Sequence, residues 1–269
     1  MIALAGVTWK EAVRQRFFSV LLLLGIGVVA SALFFREFNF GASELKFVAD
    51  FGFGGLTLFG SILAIVGTSQ LFFGEIETRS VTTILAKPVR RGEFVVGKFL
   101  GIAMLLALYV LVLGAVIAAV LWGRERSLLA DAEPAGAAAS GLVSYASVAL
   151  LAALQGIKFA LLAAFTLLIA SYARTNLFTV ISGFVVLIIC HLQPLAQEAW
   201  DRSGSLLARV VGGFLAVVFP NFRLFDPGTG VGVASALPPG DVAIAAAYGV
   251  CYVAVVLGLA VFSFSRREL

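Results

Sequence analysis

The segment GEIETRSVTTILAKPVRRGEFVVGKFLG, residues 74–101, decides the fold of this chain. It is a charged interruption with internal structure, and apolar segments of membrane-spanning length lie on both sides of it. Its residues 75–86 predict a short helix with Val81, Ile84 and Leu85 on one face and polar side chains on the other. We therefore expect a surface helix that connects two membrane helices.

Proline and glycine set the limits of this surface helix. Lys87-Pro88 ends it, because the residue before proline is pushed out of the α region and proline lacks an N–H. Gly92-Glu93 begins the next helix, with an acid in the first turn where the helix dipole favours it. The segment thus predicts a surface helix, a basic elbow and a new membrane helix in that order.

The composition identifies an integral membrane protein. The chain has 269 residues, of which 61% are hydrophobic and 13% are charged. Soluble domains carry about 25% charged residues. No polar stretch is long enough to bury a core of its own, so residues 1–269 are expected to form a single membrane domain in a lipid bilayer, with no nucleic-acid partner. Cys190 and Cys251 make no metal spacing and suggest no disulfide framework.

The first 35 residues predict a surface helix followed by a membrane span. Residues 1–16 form an amphipathic interfacial helix whose basic side chains meet lipid headgroups while Trp9 and Val13 dip inward. A signal peptide is the alternative for residues 17–35, since the ASA triplet at 30–32 mimics a cleavage site. The long amphipathic leader and the apolar residues beyond the triplet favour an uncleaved first span.

The predicted fold class is an all-α membrane protein with six transmembrane helices. The spans lie at about residues 17–35, 54–74, 94–122, 147–172, 177–194 and 242–264. Residues 36–53 and 123–145 are then outer loops. Residues 206–219 are apolar but number only about 14, which suits a re-entrant or interfacial helix at the outer face better than a span. If they formed a full span, the C-terminus would lie on the opposite side.

The distribution of charge orients this arrangement. With six spans, one side holds eleven bases against five acids, and the other side holds seven bases against ten acids. Cytoplasmic loops carry the excess of Lys and Arg. Both termini and the central segment are therefore expected in the cytoplasm.

Two polar residues lie inside the predicted fourth span. Lys158 follows Gln155 by about one helical turn. An intramembrane lysine is a functional site by default, whereas a late or tilted span would let Lys158 snorkel to the outer interface. Both interpretations stay open. His191, at the outer end of the fifth span, is expected to make an interfacial polar contact.

The motif FPNFRLFD, residues 219–226, breaks the chain ahead of a Gly-rich linker. One interpretation is a simple turn with aromatic anchors at the outer interface. The other is an outer gate or cap, for which Pro220, Asn221 and Phe222 are the candidate residues.

A nucleotide site is not expected in this chain. Gly92-x-x-x-x-Gly97-Lys98 nearly spells a phosphate-binding loop, but Phe99 stands where a hydroxyl should hold Mg²⁺, and no strand precedes it. No Ser/His/Asp set, carboxylate pair or metal cluster is visible either. The chain is therefore predicted to be neither an enzyme nor a cofactor-binding protein.

At this point the sequence resembles the permease subunits of type-2 ABC transporters, in particular the short six-helix kind labelled as permeases for multi-copper enzyme maturation. The features that carry the resemblance are KEAVRQRFF at 10–18, the central segment with Glu75, Glu77, Lys87-Pro88-Val89, Arg91 and Gly97-Lys98, FPNFRLFD at 219–226, and FSRREL at 264–269. The chain departs from the pattern at Arg79-Ser80, where many relatives have Gly-Thr.

The resemblance implies a half-transporter of the bacterial-type inner membrane, acting as an exporter. Two permeases pair, as a homodimer, and each binds a separate cytoplasmic ATPase subunit that holds ATP and Mg²⁺. The loop between spans two and three would carry the coupling helix that sits on the ATPase. The residues that the resemblance assigns to coupling are Glu75, Glu77, Arg79, Lys87, Pro88, Arg91 and Lys98.

Two other classes of function compete with this one. An ion-coupled secondary transporter usually needs carboxylates within its spans, and the predicted spans contain essentially none. A non-transporting membrane scaffold stays open as the second alternative.

Overall fold

The computed structural model describes residues 2–34, 44–77, 91–131, 143–203, 210, 212–215, 218–226 and 237–266. Within these ranges every regular element is a helix. Most of the predicted surface helix 75–86, and much of the predicted outer helix 206–219, lie outside the described residues.

Eight α-helices have described bounds, and residues 210, 212–215 and 218 are helical as well. The eight helices are α1 (Ile2–Arg14), α2 (Arg16–Ser31), α3 (Glu44–Ile62), α4 (Thr68–Glu77), α5 (Arg91–Asp131), α6 (Tyr145–Tyr172), α7 (Asn176–Ser203) and α8 (Pro239–Ser265). A π-helical turn, Leu63–Gly67, joins α3 to α4. Two short 3₁₀ turns, Ala32–Phe34 and Phe222–Phe225, complete the set.

Five of the described helical segments are long and apolar enough to cross a membrane. They are Glu44–Gly74, Gly92–Ala130, Tyr145–Tyr172, Asn176–Glu198 and Pro239–Ser265. A sixth arises if Thr8–Arg14 and Arg16–Ser31, which meet at an angle of 59°, count as one span. The predicted all-helical membrane fold is confirmed, with five or six candidate spans.

The bend between α1 and α2 lies at Gln15, whose backbone is extended. On α1, Lys10 and Arg14 are exposed while Ala12 is buried and Trp9 is half-buried. The side chains of the described part of α1 thus follow the amphipathic pattern of the sequence, with the buried face packed against α5.

The predicted outer loop 36–53 is wrong from Glu44 onward, because α3 begins there. Its early turns are amphipathic: Val48 and Phe53 are buried, whereas Asp50 is exposed. The charged residues of this stretch suggested a loop, but they occupy one face of a helix whose other face packs in the bundle.

Helix α5 likewise runs past the predicted end of the third span, so the first part of the second predicted loop is helical. Its extension is held by two polar contacts. Arg124 forms an ion pair with Glu44 of α3. Glu125 accepts hydrogen bonds from the Tyr145 hydroxyl and from the backbone N–H of Val143, at 3.2 Å for the latter. These contacts join α5 to α3 and α6 where apolar burial alone would not.

The fifth predicted span, 177–194, is also shorter than its helix, which continues through Pro194 to Ser203. Proline removes one backbone donor, yet the helix continues through it. Across the proline, the Gln193 side-chain amide donates to the side-chain oxygen of Gln197 at 3.2 Å.

Helix α6 occupies the centre of the bundle and packs against α3, α5, α7 and α8. One end of the bundle, here called the α1 end, contains the aromatic cluster of Phe72, Phe94 and Phe264. The opposite end, called the turn end, contains the 3₁₀ turn Phe222–Phe225 and the Glu125–Tyr145 contact. The candidate sites below lie at these two ends.

Gly60 gives a direct test of the packing between α3 and α6. A Cβ at this position would lie 2.3 Å from the ring of Phe159, which is fully buried and packs edge-on against Tyr109. Gly60→Ala should therefore destabilise the protein by about 1–3 kcal/mol, the usual cost of overpacking.

Gly54→Ala is the matched control on the same helix, because its methyl group would meet no described atom within 4 Å apart from its chain neighbours and the nearby backbone of α3. Thermal unfolding of both variants in detergent measures the difference. Equal melting temperatures for the two variants would contradict this packing.

Candidate functional site

An elongated cleft of about 640 Å³ lies between α3 and α7. Apolar side chains such as Phe53 and Phe184 form most of its walls. Three polar residues, Asp50, His191 and Asp226, also line it. The cleft therefore combines an apolar body with a few polar groups, the usual character of a ligand site.

A second cavity of about 410 Å³ adjoins the cleft and shares His191 and Asp226 with it. Lys158 and Phe222 line this cavity from the bundle side. Arg223 donates to Glu198 at 3.1 Å, and both side chains are exposed. Such an exposed pair contributes only about 0–1 kcal/mol, so it closes the cavity weakly.

Lys158 is buried beneath the turn, with only 1% of its surface exposed. Its Nζ lies 5.5 Å from the centroid of the Phe222 ring, within the range of a cation–π contact. Asp226 is near enough to interact with it electrostatically, and both line the second cavity. Of the two placements left open by the sequence, the structure has the lysine inside the bundle and not at a lipid-facing surface. Its role stays a prediction.

Gln155 connects three elements around this lysine. It is also 1% exposed. The Thr57 hydroxyl of α3 donates to its Oε1 at 3.3 Å, and its Nε2 donates to the carbonyl oxygen of Phe225 at 3.3 Å. The predicted intramembrane pair therefore lies directly against the turn, and Gln155 helps hold that turn in place.

The predicted gate residues form a fixed structure within this turn. Asn221 caps the 3₁₀ helix: its side chain accepts from the Arg223 N–H at 2.9 Å, and its own N–H donates to the Tyr248 hydroxyl at 3.1 Å. Pro220 and Phe222 are buried, and His191 of α7 packs edge-on against the Phe222 ring with centroids 5.5 Å apart. The turn thus packs on α6, α7 and α8. A gating role stays a prediction.

The predicted coupling residues lie at the α1 end. Glu75 and Glu77 belong to the last turn of α4, and Arg91 is the first residue of α5. Helix α5 carries Glu93 in its first turn, close to the predicted helix start at Gly92-Glu93. The predicted coupling residues outside the described ranges are Arg79, Lys87 and Pro88.

Lys98 is the predicted coupling residue whose side chain lies within the described part of the structure, and it is buried, with 2% exposure. Its Nζ donates to the backbone carbonyl of Leu71 at 2.9 Å. This bond ties α5 to α4 close to the segment 78–90 that connects them. Any part that Lys98 plays in coupling must therefore act through the relative position of the two helices.

Sequence reasoning missed the carboxylates of the cleft. The charge pattern predicts a loop at Asp50, yet this residue lies within a candidate membrane-spanning segment, Glu44–Gly74. The expectation that the spans contain essentially no carboxylates is therefore wrong for this helix. The signal was the apolar period of residues 45–53, which continues the helical pattern across the charges. The sequence indicates only that Asp226 ends the FPNFRLFD motif and that His191 makes an interfacial contact.

These features define a multi-pass helical membrane protein with a mainly apolar cleft that carries a few polar groups. The sequence matches the ABC-2 family transporter proteins over residues 2–269. The chain therefore belongs to the ABC-2 transporter family, whose members are membrane components that work with an ABC ATPase. Among curated proteins no significant match to this chain is found.

The contact between Gln155 and the turn can be tested locally. Gln155→Leu should leave the Phe225 carbonyl without its donor and cost about 1–3 kcal/mol. We expect faster hydrogen exchange at the amides of Asn221, Arg223 and Asp226, which are hydrogen-bonded within or around the turn.

Gln197→Leu is the control, since its side chain is exposed on α7 and its hydrogen bond is with Gln193 of the same helix. Exchange measured by mass spectrometry in nanodiscs compares the two variants. Unchanged protection of the turn in Gln155→Leu would show that Gln155 does not hold it.

Proposed function

We propose that this chain is the membrane-spanning permease of an ABC exporter, working as a pair of copies with two separate ATPase subunits. In this proposal the segment 75–93 docks on the ATPase, and the nucleotide and Mg²⁺ are bound by that partner. The family match over residues 2–269 is the observation that carries the proposal.

The geometry of the α1 end supports a coupling role for the segment between α4 and α5. Phe72 of α4, Phe94 of α5 and Phe264 of α8 are buried together, with centroid separations of 5.7–6.3 Å. The bond from Lys98 to Leu71 joins the same two helices. A loop that receives force from a partner needs a stiff base, and these contacts provide one.

The pairing with an ATPase can be tested by co-purification. Because the proposal places ATP hydrolysis on a partner, tagged permease should retain an ABC ATPase subunit expressed with it, and the complex should contain two copies of each. Native mass spectrometry of the solubilised complex gives this stoichiometry. Transport by the permease alone, without any ATPase, would refute the proposal.

Variants in the coupling segment separate docking from transmission. Glu77→Lys reverses a charge at the proposed interface and should weaken ATPase binding, whereas Glu77→Ala should weaken it less because exposed ion pairs contribute about 0–1 kcal/mol. Pro88→Gly should loosen the elbow, so that the ATPase still binds but hydrolysis no longer drives transport.

Glu11→Lys is the matched charge reversal, at an exposed position on α1 outside the coupling segment. It should leave ATPase binding unchanged. Binding is measured by co-purification and coupling by transport per ATP hydrolysed, at equal membrane abundance. Normal transport by a Glu77→Lys, Pro88→Gly double variant would contradict a coupling role. The segment would then be only a solvated cytoplasmic loop.

The charge distribution supports a six-span topology with both termini in the cytoplasm. Single cysteines placed at positions 40, 83, 133, 205 and 269 should react with an impermeant maleimide as outside, inside, outside, outside and inside. An external position 269 would contradict this topology and would make 206–219 a full span.

A further inference from the structure

We propose that the cleft between α3 and α7, together with the cavity beneath the 222–226 turn, binds an amphiphile with an anionic head group, and that Lys158 binds that head group. This inference names a substrate class and so rests on the proposed transport function. The residues that carry it are Lys158, Asp226 and the apolar walls of the cleft.

The first step is the incomplete pairing of Lys158. A buried ammonium is costly unless an anion or hydrogen-bond acceptors compensate it. Among the described residues, the Nζ of Lys158 has no hydrogen-bond acceptor and no ion-pair partner within 4.0 Å; its contacts are the Phe222 ring and the more distant charge of Asp226. Lys158 also lines a cavity of about 410 Å³. A carboxylate or phosphate entering that cavity would supply the missing acceptor.

The second step is the sign of the head group. Asp50 and Asp226 are both exposed, so water can hydrate their carboxylates without a ligand. Lys158 is 1% exposed and cannot be hydrated to the same degree. Glu198 and Arg223 compensate each other at the rim. The group whose environment most lacks a partner is therefore a cation, which favours an anion as the ligand.

The third step is the apolar body. The two cavities share His191 and Asp226, so the space beneath the turn continues into the cleft of about 640 Å³. Leu58, Ile188 and Leu192 line that cleft and are more than half exposed. In a membrane protein such side chains face hydrocarbon. An alkyl chain could therefore lie in the cleft while its head group reaches Lys158.

Asp226 also affects ligand binding in this proposal, because its carboxylate interacts with the Lys158 ammonium. A ligand anion must compete with its negative charge. Removing that charge should strengthen ligand binding, whereas removing the Lys158 charge should weaken it. Two variants with opposite effects distinguish this site from nonspecific partitioning into the bilayer.

The test uses the purified full-length permease in phosphatidylcholine nanodiscs, with dansyl-labelled undecanoic acid as the probe. We expect saturable fluorescence enhancement with wild type. Lys158→Met should weaken binding about tenfold or more, as expected for loss of a charged hydrogen bond. Lys158→Arg should retain most of the affinity for the probe, and Asp226→Asn should increase that affinity several-fold.

Lys46→Gln is the control, since Lys46 is an exposed cation on α3 that lines neither cavity.

Competition identifies the head group and the chain. Dodecyl phosphate should displace the probe, whereas dodecyltrimethylammonium and inorganic phosphate at the same concentration should not. Stronger displacement by the ammonium compound would overturn the proposal in favour of a carboxylate site for cations. If inorganic phosphate displaced the probe as well as dodecyl phosphate does, the alkyl chain would not contribute to binding. That result would contradict an amphiphile site and indicate a site for free anions.

Unfolding of a variant is separated from loss of binding by two readouts. Each variant is compared by gel filtration and thermal melting. Because Asp226 is exposed, the predicted gain for Asp226→Asn does not depend on whether Lys158→Met folds. Unchanged binding in Asp226→Asn, or equal binding of the dansyl-labelled undecanamide, would refute the site. No ATPase is present in this assay, so its failure leaves the proposed permease function standing, and failure of ATPase co-purification leaves the binding result standing.

Discussion

Hydrocarbon offers no hydrogen-bond partner, so the bundle must either supply one to a polar side chain at membrane depth or bear the cost of leaving that side chain unpaired. The fold depends on this constraint at α6. Gln155 meets it with Thr57 and the Phe225 carbonyl, and in doing so fixes the turn against the helix. Lys158, about one turn further along, meets it only in part, through a ring and a more distant charge. This contrast between neighbours is why we treat Gln155 as structural and propose Lys158 as the ligand-binding residue.

The same constraint explains why the two ends of the bundle differ. At the α1 end, Phe72, Phe94 and Phe264 fill the space between three helices, and the Lys98 ammonium is satisfied by a backbone carbonyl. At the turn end, polar contacts join helices around cavities that remain open. Packed aromatic side chains transmit force because close-packed interiors have low compressibility. Open cavities, by contrast, lower the free-energy cost of moving the helices around them. This difference agrees with the two proposals, which place the ATPase partner at the α1 end and the ligand at the turn end.

The sequence predicted the membrane helices because long apolar segments are the strongest signal it carries. It underestimated the lengths of α3 and α5, because the predicted spans stop where the first charged residues occur. Asp50 is exposed on a helix whose other face is buried, and Glu125 is paired across helices with Tyr145. Neither property is local. The placement of Lys158 was undecided for a similar reason, since burial beneath a turn more than sixty residues away depends on tertiary contacts that one helix does not encode.

The helical segment from Glu44 to Glu77 relates the two ends to each other. Its first part, α3, forms one wall of the cleft, and its last part, α4, leads into the segment proposed to dock on the ATPase. Between them, the π-helical turn Leu63–Gly67 interrupts the regular α-helical hydrogen bonding. At this turn Ile65 packs closely on Gly183 of α7. A Cβ added to Gly183 would lie 2.7 Å from the Ile65 side chain. Under the proposed function, ATP binding shifts the conformational equilibrium only if ATP has a different affinity for each of the two states. Because the π turn lies between the proposed docking segment and one wall of the cleft, we expect a movement of α4 relative to α7 to change the contact of Ile65 with Gly183.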